Sequence, residues 1–125
     1  MRKSILLSAI LLLILNHGES SGRDLELSIK SFNCIEEGVK ISYSIKNEKN
    51  FPRPNIRVGF KILIDDKPVG CKVVKIDVPV SEDEQILEAI VPAPCEDKSY
   101  KLVTAVFGSS TKKYKIDNWL AECPR

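Results

Sequence analysis

The strongest constraint on this chain is a repeat of two. Val39, Ile41, Tyr43 and Ile45 alternate without a break with Lys40, Ser42, Ser44 and Lys46. Leu25, Leu27 and Ile29 alternate with Glu26, Ser28 and Lys30, and Ile56, Val58, Phe60, Ile62 and Ile64 alternate with Arg57, Gly59 and Lys61. Successive side chains of a strand point to opposite faces, so each run buries one face and wets the other. That pattern belongs to antiparallel sheets packed on one side.

The reversals between these runs are also legible. Glu36-Glu37-Gly38 separates the first two, and Asp65-Asp66-Lys67-Pro68 is a tight turn. Short polar residues favour the turn, and Pro cannot donate into a ladder. From Val69 to Val78 the alternation changes phase, which predicts a bulge near Val73-Val74 or a crossing between sheets. Residues 84–91 are apolar on both faces and predict a central strand, Tyr100–Phe107 predicts another, and 112–120 predicts the last. Short strands at this spacing give an all-β fold: a seven-stranded antiparallel sandwich.

The beginning of the chain bears on where the fold works. Met1-Arg2-Lys3 is followed by an apolar run from Ser4 to Leu15, then by Asn16-His17-Gly18-Glu19-Ser20-Ser21-Gly22. A basic start, a short apolar middle and a small polar end predict a secretory signal peptide over residues 1–22, helical, cut between Gly18 and Arg23. The run is too short for a spanning helix, which needs about 20 apolar residues. The expected mature domain, 23–125, is long enough for a single core. Of the chain's 19 basic and 17 acidic residues, removal of Arg2, Lys3 and Glu19 leaves 17 and 16. That balance provides no general drive toward nucleic acid or membrane insertion of the mature domain.

Cys34, Cys71, Cys95 and Cys123 all fall in the mature part, and an exported protein meets an oxidising compartment. Four cysteines allow three pairings. An up-and-down order of seven strands would gather them at one pole and favours Cys34–Cys123 with Cys71–Cys95. The single histidine, His17, lies in the expected leader, so mechanisms using Ser-His-Asp, Cys-His or a His-bound metal are not expected, and neither is a cofactor. Glu82-Asp83-Glu84 with Asp65-Asp66 and Asp77 reads as solvated turns in preference to a calcium site. Lys112, Lys113 and Lys115 with Lys98 and Lys101 read as lysines guarding an edge strand.

The best contact surface in the sequence is Asn50-Phe51-Pro52-Arg53-Pro54-Asn55. Phe51 and Arg53 supply the residue types that dominate interface energies, Asn55 closes the segment, and the prolines reduce what binding must order. The competing expectation is that Phe51 caps the core. Trp119, beside Leu120, reads as packing, and Tyr100 as the donor of a structural hydrogen bond at a sandwich corner.

Ser44-Ile45-Lys46-Asn47, the run from Val58 to Val69, Ser99-Tyr100-Lys101-Leu102-Val103 and Asp117-Asn118 with Glu122 carry a resemblance over residues 39–123. The chain resembles immunoglobulin-like sandwiches of the fibronectin type III kind, and is similar to cell-adhesion-related domains of archaeal and bacterial surface proteins. Where those domains carry a Gly soon after the Asn and an acidic tail, this chain has Glu48-Lys49-Asn50 and Cys123-Pro124-Arg125. The resemblance implies a secreted, non-catalytic module that binds a protein or surface glycan through its loops. A lipid-carrying sandwich and a secreted inhibitor are the alternatives.

Overall fold

The computed structural model describes residues 12–16, 25–80, 84–94 and 100–124. The rest of the expected leader and its cut site, as well as Cys95, Lys98 and Glu82-Asp83, lie outside the described residues. The strands are β1 (Leu12–Asn16), β2 (Leu25–Ile35), β3 (Gly38–Asn47), β4 (Arg53–Ile64), β5 (Lys67–Val78), β6 (Gln85–Val91) and β7 (Tyr100–Phe107), and one helix follows, α1 (Lys113–Trp119). They form two sheets, β2-β3-β6 and β1-β7-β4-β5.

Between the sheets lies the core that the alternation predicts. Val39, Ile41, Tyr43 and Ile45 of β3 face Ile56, Val58, Phe60 and Ile62 of β4, each 1% exposed or less. Burying one such side chain contributes about 1.5–3 kcal/mol. Tyr43 and Phe60 meet across the interface with ring centroids 5.0 Å apart, and burial pushes the Tyr43 hydroxyl pKa up. The two expected hairpins are present. Ile35 pairs with Gly38 around Glu36-Glu37, and Ile64 pairs with Lys67 around Asp65-Asp66. Both aspartates are left-handed, with φ of 54° and 63°, the conformation of the two-residue turn that matches strand twist. Gly38 is fixed by space: a Cβ there would lie 2.2 Å from the Val91 carbonyl oxygen.

Four expectations are corrected. First, the described residues of 23–125 contribute six strands, not seven, because 113–119 is helix. Ile116, Trp119 and Leu120 share one helical face and pack on Ala105, Phe107 and Val73, forming a second small core on the outer side of the sheet. Second, β5 has no bulge at Val73-Val74; its register against β4 is continuous there and shifts between Ile62 and Leu63. The change of phase arises because both faces of β5 are covered, Val74 and Ile76 by the main core and Val73 by the helix side. Third, β6 is an edge strand, and Ile86 (57% exposed) and Ile90 (40%) face water.

The fourth correction concerns the leader. Its Leu12–Asn16 segment is a β-strand, not helix, and lies parallel to β7 from Leu12↔Tyr100 to Asn16↔Thr104. The expected last strand, having become α1, leaves that edge of β7 for it. No helix among the described residues is long and apolar enough to cross a membrane.

The expected cysteine pairing is also overturned. Cys71 is bonded to Cys123, with Cα atoms 5.9 Å apart. The chain passes back over the outer face of the sheet as α1, which brings Cys123 to β5 and not to the end of β2. Cys34, 7% exposed in β2, is disulfide-bonded as well.

Candidate functional site

The candidate surface joins β3 to β4. β3 ends at Asn47, whose side chain is 7% exposed and turned back into the loop. Asn47 Nδ2 donates to the Phe51 carbonyl oxygen at 2.8 Å, and Asn47 Oδ1 accepts from the Lys49 amide at 2.9 Å. One buried amide therefore satisfies two backbone groups that the reversal leaves out of the ladder. At the other end, Pro54 has no N–H, and the β4–β5 register shifts between Arg53 and Ile56. Asn55 adopts φ 58°, and its amide donates to Asp77 Oδ1 at 2.9 Å.

Held between these braces, Phe51 is 50% exposed. The expectation that it caps the core therefore fails: Phe51 stands at the rim. The Arg53 guanidinium carbon lies 6.0 Å from the Phe51 ring centroid, at the outer limit of a cation–π contact. Phe51 thus presents an apolar face, with the partly buried Arg53 guanidinium beside it. Asn55 shapes the backbone behind them and lies on the β5 side of the loop.

Several other sequence-marked groups have structural partners. Glu84 Oε2 accepts from Ser44 Oγ at 2.9 Å and lies 3.0 Å from Lys30 Nζ. These bonds, that from Lys30 first, hold its carboxyl below the ordinary range. Lys101 is paired with Asp66, and Lys113 with Asp117 at 2.9 Å, on separate parts of the surface. Lys61 Nζ donates to the Trp119 carbonyl oxygen at 2.7 Å and lies 4.3 Å from the indole centroid. Burial lowers the pKa of that ammonium, and nearby Glu122 opposes the shift. Trp119 itself packs edge-on to Phe107, with centroids 5.9 Å apart. Among the described residues, no group of three or more His, Cys, Asp or Glu side chains could hold a metal ion.

Sequence reasoning marked Phe51, Arg53 and Asn55 as candidates but not the two side chains that fix their loop, Asn47 and Asp77. Asn at a strand end is a turn-forming residue type, and that was the available signal for Asn47. Asp77, 22 positions beyond Asn55, has no local signal at all. The chain matches no protein-family model, no curated protein and no solved structure.

Proposed function

We propose that this protein is an exported, disulfide-bonded, non-catalytic binding module of the immunoglobulin-like kind that meets a protein or surface glycan through its 50–55 loop. The observation that carries the proposal is the half-exposed Phe51, bordered by Arg53, on a loop already fixed from behind by Asn47 and Asp77. A large apolar side chain held in water on an ordered segment loses little freedom on binding and gains its full burial.

Two further features support the immunoglobulin-like reading. The strand order sets β2-β3-β6 against β7-β4-β5, and in such sandwiches too the first, second and fifth strands share a sheet that faces the third and sixth. Tyr100, opening β7, donates its hydroxyl hydrogen to the Pro94 carbonyl oxygen six residues upstream, the hydrogen bond of a tyrosine corner. Between the sheets, Tyr43, Phe60, Ile41, Ile62 and Leu102 are fully buried against one another, which favours loop contacts over a lipid held inside.

The test combines stability with capture. Phe51→Ala, at an exposed position, should shift the midpoint of thermal unfolding by no more than about 4 °C, and Arg53→Ala, whose guanidinium is partly buried, should cost more but leave the domain folded. Both should weaken retention of the mature protein on the surface or secreted material of its own cells. A large loss of stability, or capture indifferent to both substitutions, refutes the loop.

A further inference from the structure

Each edge of a two-sheet sandwich offers unpaired backbone groups to other chains, and proteins guard such edges with charge, proline or irregularity. β5 carries Lys67, Pro68, Lys72 and Lys75. β2 has a register irregularity between Ile29 and Ser31 and exposes Glu26 and Lys30. β6 is short and carries Glu88 on its outer face. β7 carries a single charge, Lys101, opposite Leu13, and no such device after it. It reads Leu102-Val103-Thr104-Ala105-Val106-Phe107, with no charge and no proline, and pairs with β4 without a register shift. A flat, apolar, uncharged strand is the kind most prone to uncontrolled pairing.

The chain covers this edge with Leu12–Asn16, in five consecutive positions. It is the one parallel pairing among the described strands. One face of β7 is closed by the inter-sheet core through Leu102 and Val106; on the other, α1 covers Ala105 and Phe107, and beside β1 lie Val103, 8% exposed, and Lys101, which is paired with Asp66. A strand added beside it extends a layer with little water on either side, where strands are continuously apolar instead of alternating. Leu12-Leu13-Ile14-Leu15 is such a run.

We infer that the outer edge of β7 is a strand-acceptor site, a five-residue slot that takes an extended apolar segment in parallel. Leu12–Asn16 fills it in the full chain. Once the leader is cut behind Asn16, an apolar strand of a partner polypeptide takes its place. The second step rests on the export reading above; the slot itself does not. Strand addition draws affinity from backbone hydrogen bonds and selectivity from the side chains flanking them. The leader thereby shields the edge until a partner is available.

Hydrogen exchange on the full chain tests the slot. In the unaltered protein the β1-facing amides of Tyr100–Thr104 should exchange slowly. Leu13→Pro with Ile14→Pro, which breaks the β1 ladder, should speed them about tenfold or more while the β4–β5 amides stay protected. A synthetic peptide containing Leu-Leu-Ile-Leu-Asn between lysines, added in excess, should restore protection, and one with Ser at the four apolar positions should not. Equal exchange in both proteins, or no restoration by the apolar peptide, overturns the site.

A second arm does not depend on the proline variant folding. A protease site inserted between residues 17 and 22 is cut after folding, and a fluorescent copy of the peptide is added. Uptake of the label in exchange for the native fragment supports the slot; departure of the fragment without uptake overturns it. The N-terminus of the exported protein separates the two steps. A start beyond Asn16 opens the slot to a partner, whereas a start before Leu12 overturns the partner step and leaves the loop proposal untouched.

Discussion

Gly59 offers the sharpest test of the helix-covered face. It sits in the middle of β4 under the indole of Trp119, where a Cβ would lie 2.7 Å from Cζ3 and 2.8 Å from Cη2. Carbon atoms pack best at about 3.5–4.0 Å, so in Gly59→Ala the ring must retreat by about an ångström. It has little room to do so, because Phe107 meets its edge and Lys61 holds both its ring and its carbonyl oxygen. Overpacking of this kind costs about 1–3 kcal/mol. Gly→Ala recovers about 0.4–1 kcal/mol by restricting the unfolded chain, since Gly59 does not need a left-handed backbone. The net loss should be about 1–2 kcal/mol, or about 4–16 °C in the unfolding midpoint of a domain this size. With Trp119→Ala in place the obstruction is gone, and Gly59→Ala should be neutral or slightly stabilising. Urea unfolding of the four proteins, followed by far-UV circular dichroism because Trp119 is the chain's one tryptophan, closes the double-mutant cycle. Equal effects of Gly59→Ala in both backgrounds would refute the stacking of the indole on β4.

Two other perturbations have definite signs. Cys71→Ala with Cys123→Ala opens a covalent link of sequence separation 52, worth about 4 kcal/mol in the chain-entropy model; urea unfolding measures the loss, and non-reducing peptide mapping should recover Cys71 joined to Cys123. For Glu84, whose carboxyl pKa is held down by Lys30 and then Ser44, the stabilisation is fully present above the ordinary carboxylate pKa and disappears as pH falls through the depressed one. The stability gap between the parent and Glu84→Gln should therefore be constant near neutrality and close on acidification, and a gap unchanged at low pH would contradict the pairing.

The parts of this fold written in local alternation were readable. β3 and β4 bury the residues their period of two selects, and the Asp65-Asp66 turn lies between the strands it was expected to join. What failed depended on the last element. Tyr114 and Ile116 alternate with Lys113 and Lys115 as a strand would, but Ile116, Trp119 and Leu120 also lie on one helical face, and only the groove over Gly59, Ala105 and Phe107 decides between them. The cysteine pairing inherited that error, since a strand and a helix deliver Cys123 to different neighbours. The β1 pairing was hidden for the same reason, because the edge it takes is vacant only once 113–119 is helical. At the loop, aromatic, arginine and prolines marked the surface, whereas the braces from Asn47 and Asp77 exist only in three dimensions.

β4 is bonded along one edge to β5 and along the other to β7, with a packed interior on one side and the tethered helix on the other. The opposite sheet keeps an outer surface in water. Opening of the molecule should therefore begin on that thinner side, and residues 56–64 should be the last to yield to solvent. Its most protease-vulnerable sites should accordingly be peripheral, and digestion of its central strand must wait for the whole domain to come apart.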